Sequence, residues 1–113
     1  MKAIILGAGQ GVVKMNESES YPSCLKTALD GRTIIDWILN SLSQAGINKV
    51  VFVGGFHLEK VIKHYPHLSY YINSDWEQTS SLHSLFCAES EMDSPFLVSF
   101  SDIVYRPHVI KKL

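Results

Sequence analysis

Long apolar runs are missing from this chain. No stretch of its 113 residues approaches the ~18 consecutive apolar residues of a membrane span, and the short run before the first glycine is too small for a signal-peptide core. We therefore expect a cytoplasmic protein without a membrane partner. An excess of one charge is also lacking: 10 Lys+Arg against 11 Asp+Glu give a net charge of −1. The only adjacent basic residues at the end of the chain are the pair Lys111-Lys112, so no nucleic-acid partner is expected. Cysteine is scarce. Cys24 and Cys87 stand far apart, with no CxxC and no paired histidine spacing, and read as reduced thiols of small core residues, one disulfide being the alternative. His64 and His67 flank Pro66, which breaks any helix that would align them on one metal, so they read as structural.

What is present concentrates at the start. Ala3-Ile4-Ile5-Leu6 is an apolar run that stops at Gly7-Ala8-Gly9-Gln10-Gly11, the pattern of a strand buried on both faces feeding a tight loop. Three alternate glycines let a backbone come close to a ligand, and successive N–H groups in such a turn make an anion-binding concavity suited to phosphate. An ordinary strand-to-loop turn is the plainer alternative. The loop is not a Walker loop, since no G-x-x-x-x-G-K-[ST] aligns with Gly7–Lys14. It also fits a dinucleotide site poorly: Val12 stands where a third glycine belongs, and the second strand ends in Gly54-Gly55 rather than an acid.

Further along, Met15–Ser23 is polar, holds Pro22 and reads as a loop, and Cys24–Leu29 reads as a short extended piece ended by the turn Asp30-Gly31. Thr33 opens a helix carrying Ile34, Ile35, Ile38, Leu39 and Leu42, with Gly46 as its stop. Val50–Val53 is a second strand, His57–His64 a helix, and Leu68–Asn73 a third strand rich in aromatics. Ser74–Thr79 is a loop, and Ser80 caps a helix with Leu82, Leu85 and Phe86. Pro95–Phe100 is a fourth strand, Asp102 follows it, and Arg106-Pro107 begins a last helix. Strand and helix alternate throughout, which predicts an α/β fold around a parallel sheet, with ligands beyond the carboxyl ends of the strands. Gly7–Gly11 and Asp102 both fall at that edge. The aromatics Tyr65, Tyr70, Tyr71 and Trp76 read as packing rather than a base-stacking platform, and His83 as polar packing.

Several of these segments, in order, resemble a known family. Met1–Gly11, Pro22-x-Cys24-Leu25 and Asp30-Gly31-Arg32-Thr33-Ile34-Ile35-Asp36 are similar to the nucleotidyltransferases that build activated sugars and alcohols, whose opening runs L-A-A-G-x-G-[ST]-R and continues through P-K-x-L. The stretch Ala45–Phe56 resembles the family's second strand and the Gly-Tyr after it. Asn73…Trp76…Thr79-Ser80-Ser81-Leu82…Ser84-Leu85 and Phe96-Leu97-Val98…Asp102-Ile103 resemble the phosphocholine cytidylyltransferase branch. The resemblance covers essentially the whole chain. It implies a three-layer, Rossmann-like, mostly parallel sheet, truncated, and one nucleotide-binding domain over residues 1–113. The chain is then either a fragment or a reduced homologue, since the family's acceptor half would follow Leu113.

The resemblance also implies an activity. Such enzymes join a nucleoside triphosphate, here CTP in the favoured reading, to a phosphorylated sugar or alcohol with Mg²⁺ and release pyrophosphate. Leu6, Gly7, Ala8, Gly9, Gln10 and Gly11 carry over as the phosphate and base cradle, and Gln78, Thr79 and Ser80 as nucleotide contacts. Asp102 carries over as the metal carboxylate, the alternative being an acid that caps the turn before Pro107. The family's loop arginine falls on Val13 and its P-K lysine on Ser23. Lys14 and Lys26 are the nearby cations that stand in for them or, alternatively, lie solvated on the surface. Two further readings stay open: a nucleotide-binding module without catalysis, and an assembly domain that keeps only the fold. The strand Pro95–Phe100 has the composition of one buried on both faces, and with nothing after it to cover it we expect self-association there.

Overall fold

The computed structural model describes residues 1–8, 12–16, 19–27 and 29–101, with backbone alone at 12–16, 19–21, 23 and 29. Four strands form one parallel sheet in the order β5-β4-β1-β6: β1 (Lys2–Leu6), β4 (Lys49–Gly54), β5 (Ser69–Ile72) and β6 (Phe96–Phe100). β1 is central because its apolar residues are buried on both sides, with Ala3 and Ile5 facing one core and Ile4 and Leu6 the other. On the first face lie α1 (Ile34–Gln44) and α2 (Leu58–His64). On the second lies α3 (Ser81–Cys87), which completes the three layers. This is the α/β architecture that the alternation of elements predicts.

Local chemistry explains the helix ends. Thr33 and Asp36 form a reciprocal capping box: the Asp36 N–H donates to Thr33 Oγ1 at 3.1 Å and the Thr33 N–H to Asp36 Oδ2 at 3.3 Å. At the other end Gly46 adopts φ +85°, its N–H donates to the Ser43 carbonyl, and the Ile47 N–H donates to the Leu42 carbonyl at 2.9 Å. That pair of bonds is a Schellman ending, which explains the glycine. Between the caps, Ile35, Ile38 and Leu42 are buried along one stripe. Tyr65, just after α2, ties the two helices together. Its hydroxyl donates to Asp36 Oδ1 at 2.6 Å and lies 2.8 Å from Thr33 Oγ1, and burial pushes its phenol up to about 12. Tyr70 donates to the Tyr65 carbonyl, and Tyr71 to Glu91 Oε2 at 2.7 Å. The tyrosines are packing residues, as expected.

Two expectations need correction. Met15–Ser23 is not a plain loop: β2 (Val12–Asn16) and β3 (Glu19–Pro22) pair antiparallel as a hairpin outside the main sheet, with Val13 opposite Tyr21 and Lys14 opposite Ser20. A hairpin draws its stability from cross-strand pairs, which polar composition does not reveal. Cys24–Leu29 is not extended. Ser23–Leu25 and Leu29–Gly31 are 3-10 turns, and only Thr27 bridges, to Thr33. The helix α3 carries Leu82, Leu85 and Phe86 as expected; Leu85 packs inward beside Ala88, whereas Leu82 and Phe86 are exposed. Among the described residues β6 is the edge strand expected from the sequence, although its apolar composition would suit burial on both faces. The helix α3 packs over β1, β4 and β5, leaving Val98 at 41% and Phe100 at 47% exposure. The helix expected from Arg106 onward lies outside the described residues.

Candidate functional site at the carboxyl edge of the sheet

Parallel pairing brings the ends of all four strands to one edge. Three backbone bonds carry the ladders one residue past the strands: the Gly7 N–H donates to the Val53 carbonyl at 2.8 Å, the Asn73 N–H to the Gly54 carbonyl at 2.8 Å, and the Ser101 N–H to the Leu6 carbonyl at 3.1 Å. Leu6, Gly7, Ala8, Gly54, Gly55, Asn73 and Ser101 therefore border one rim. Leu6 and Ala8 are buried, while Gly7 is half-buried. The ladder uses the Gly7 N–H and the Leu6 carbonyl. A Cβ on Gly7 would lie 2.3 Å from Cζ of Phe52, so this glycine makes room for an aromatic ring of the core. Gly55 likewise leaves space for Trp76, whose ring meets Phe56 edge-on at 5.3 Å between centroids.

The loop from Ser74 to Ser80 leaves this rim after Asn73. Asn73 itself is only 2% exposed and fully engaged. Its Nδ2 donates to Thr79 Oγ1 and to Ser84 Oγ, both at 2.9 Å, and its Oδ1 accepts the Asp75 N–H at 3.1 Å. The Thr79 hydroxyl in turn donates to the Asp75 carbonyl at 2.9 Å. Ser80 caps α3, its Oγ accepting the His83 N–H at 3.4 Å, as its position before an apolar helix predicts. Of the three loop residues singled out in the sequence, Thr79 and Ser80 have side chains occupied in holding the loop and helix, while Gln78 is exposed. His83 is exposed too.

The remaining candidates are less gathered. Gly9, Gln10, Gly11 and Asp102 lie outside the described residues. Lys14 sits on β2 opposite Ser20. Lys26 is exposed, its carbonyl accepting the Ile34 N–H at 3.0 Å beside the start of α1. Among the described residues no hydrogen bond or ion pair joins the Lys26 side chain to the rim. Cys24 is buried and burial pushes its thiol up to about 12, so at neutral pH it is an inert core residue. Both cysteines are free thiols. Among the described residues no group of three or more His, Cys, Asp or Glu could hold a metal, and no helix is long and apolar enough to cross a membrane. Sequence reasoning overlooked Asn73 as a site residue. Its signal was an asparagine closing an apolar strand, with Thr79 and Ser84 at loop and helix spacing behind it.

A glycine-ended central strand, a parallel sheet and a polar loop on its carboxyl rim make the layout in which open α/β domains bind their ligands. The sequence pattern of the MobA-like NTP transferase domain matches residues 3–113, and the chain belongs to that family. A CTP:phosphoglutamine cytidylyltransferase from Campylobacter jejuni is 34% identical over 123 residues, spanning 100% of this chain and 48% of the relative. Among solved structures, a nucleotidyl transferase from Methanothermobacter superposes with a TM-score of 0.76 at 17% identity, over 98% of this chain and 55% of the other. The CTP:phosphocholine cytidylyltransferase of Streptococcus pneumoniae superposes with a TM-score of 0.73 at 23% identity, over 95% and 49%. The chain thus spans about half the length of the relatives it matches.

Proposed function

We propose that residues 1–113 act as one nucleotide-binding domain that takes a nucleoside triphosphate, CTP before the others, with Mg²⁺, for transfer of the nucleotidyl group to a phosphorylated sugar or alcohol. The observation that carries this reading is the rim itself: Gly7-Ala8, Gly54-Gly55, the loop after Asn73 and Ser101 converge where ligands of open parallel sheets bind. The preference for CTP rests on the cytidylyltransferases to which the chain is similar. In this reading Leu6–Gly11 cradle the phosphates and base, Gln78, Thr79 and Ser80 flank the nucleotide, and Lys14 and Lys26 are the available cations. Mg²⁺ is typically bound through one or two carboxylates plus substrate phosphates. Asp102, next after the rim residue Ser101, is a donor of that type. Bound there, the ion would offset the charge on the α-phosphate and the leaving pyrophosphate. The free thiols fit a cytoplasmic protein.

CTP or another triphosphate with Mg²⁺ should raise the melting temperature of the chain, and Asp102→Ala should remove the metal-dependent part. At about 100 times its Kd a ligand adds ~2.7 kcal/mol of stability. A scan of all four triphosphates at millimolar concentration, each with and without Mg²⁺, decides the matter. No shift with any of them sinks the reading. A second reading, a binding or assembly domain without catalysis, is favoured by one observation: Val13 and Ser23 occupy the positions of the family's two cations. Turnover separates the two.

The edge position of β6 further supports self-association. Val98 and Phe100 are half-exposed on the strand that forms the edge among the described residues, and an apolar edge left unpaired is a template for another strand. Light scattering at micromolar concentration should give a dimer mass. A monomer would show that the edge is covered.

A further inference from the structure

Asn73 has more hydrogen bonds than its place requires. As the residue after β5 it needs only its N–H to extend the ladder, and the Gly54 carbonyl satisfies that. Its side chain nevertheless uses every donor. One Nδ2 hydrogen goes to Thr79 near the end of the loop and the other to Ser84 on α3, while Oδ1 holds the Asp75 N–H at the loop's beginning. The Thr79 hydroxyl closes the ring by donating to the Asp75 carbonyl. The Gln78 N–H donates to the same carbonyl at 3.0 Å. Both ends of the loop are thus fastened to one amide, itself fixed to the end of a core strand. No buried side-chain polar atom among the described residues is left without a partner, so the network is complete. A fully satisfied buried network gives one arrangement rather than several.

We propose that Asn73 is a positioning residue, clipping the loop from Ser74 to Ser80 into the conformation that presents Gln78 at the rim. The inference rests on the reading of this loop as a nucleotide contact. Its physical effect is to remove the ordering cost that a loose loop would add to each binding event. Asn73 touches no reacting atom in this scheme. Its three side-chain bonds act through Asp75, Thr79 and Ser84.

Trp76 lies inside the loop and is one of only two tryptophans, so Trp37→Phe leaves it as the sole indole reporter. In that background, acrylamide quenching reads loop looseness without nucleotide, and fluorescence titration with CTP and Mg²⁺ reads affinity. Asn73→Ala should raise the quenching constant by about twofold, as a locally opened segment does. It should also weaken CTP binding by about tenfold, the worth of one hydrogen bond. Thr79→Val should loosen Trp76 in the same way and Thr79→Ser should restore it. Ser84→Ala removes the bond that anchors the same amide to the helix and should loosen Trp76 as well, less than Asn73→Ala does, because the bonds to Thr79 and Asp75 remain. If Trp76 is quenched equally in the parent and in both Asn73→Ala and Thr79→Val, the clip does not exist and the proposal falls. If Trp76 loosens while CTP affinity holds, Asn73 orders a loop that is not presented to nucleotide, and the proposal falls on that count. A parent that binds no triphosphate overturns the nucleotide reading instead, and quenching alone then judges the clip. Should Asn73→Ala fail to fold, the Thr79 pair decides between these outcomes.

Discussion

Gly7→Ala should lower the stability of the chain by about 2–3 kcal/mol, the upper range for overpacking a core. An added Cβ would meet Phe52 Cζ at 2.3 Å and Cε1 at 2.9 Å. That ring is 1% exposed and tilted against Tyr70 at 5.9 Å between centroids, so moving it would disturb the core around it. Nor can Gly7 retreat, because its N–H is bonded to the Val53 carbonyl. A second change supplies the control. Phe52→Leu alone opens space and should cost about 1–2 kcal/mol, but combined with Gly7→Ala it should cost less than the sum, since the two residues touch. Urea denaturation of the four proteins gives the cycle. Strict additivity, or a Gly7→Ala cost below about 0.5 kcal/mol, would show that the ring yields easily and that this glycine is not required by packing.

The second large effect concerns affinity. Val13→Arg together with Ser23→Lys should tighten binding of CTP with Mg²⁺ by at least about 10²-fold, because each recovered charged hydrogen bond contributes ~1.5–3 kcal/mol. The hairpin gives this pair a structural basis. Val13 is paired with Tyr21 and Val12 with Pro22, so position 23 follows directly on the strand that faces position 13. Two positions far apart in the family's motif are thereby brought to one end of a single hairpin. Pyrophosphate release by the unmodified chain, offered any sugar or choline phosphate, should be undetectable or very slow. Calorimetry on the parent and the double variant reads the first effect, and unchanged affinity would refute it. Brisk turnover by the unmodified chain would instead mean that Lys14 and Lys26 supply the missing charge.

Much of this architecture is legible in the sequence, for reasons that differ by element. Apolar runs such as Ala3–Leu6 and Val50–Val53 are visible because both faces of a central parallel strand are buried, which leaves no room for polar alternation. Thr33 with Asp36, and Ser80 before Ser81–Cys87, are visible because caps are local bonds between close neighbours. The hairpin Val12–Pro22 is not visible, since its pairing lies outside the main core and its residues are mostly polar. The reason for Gly7 is hidden for the opposite cause. It depends on Phe52, which only the pairing of Ile5 with Phe52 and Leu6 with Val53 brings alongside. Asn73 shows as a motif letter, but its clip joins three side chains that only the folded loop assembles.

The central place of β1 has a bearing on how the chain acquires its shape. β1 leaves the ribosome before either of its partners, β4 and β6: Lys2 pairs with Lys49 on one side and with Phe96 on the other. Neither contact is local, and long-range parallel pairing is slow because the intervening chain must first be closed into a loop. An apolar strand made well ahead of its partners is exposed to wrong ones in the interval, a situation that favours aggregation at micromolar concentrations. The capped helix α1 and the Tyr65 tether can form earlier, from neighbouring segments, and together with β4 they offer Ala3 and Ile5 a surface before β6 exists. The side of the rim that Ser101 forms therefore waits on Phe96–Phe100, which must dock beside a strand made some ninety residues earlier, about the span that separates Lys2 from Phe96.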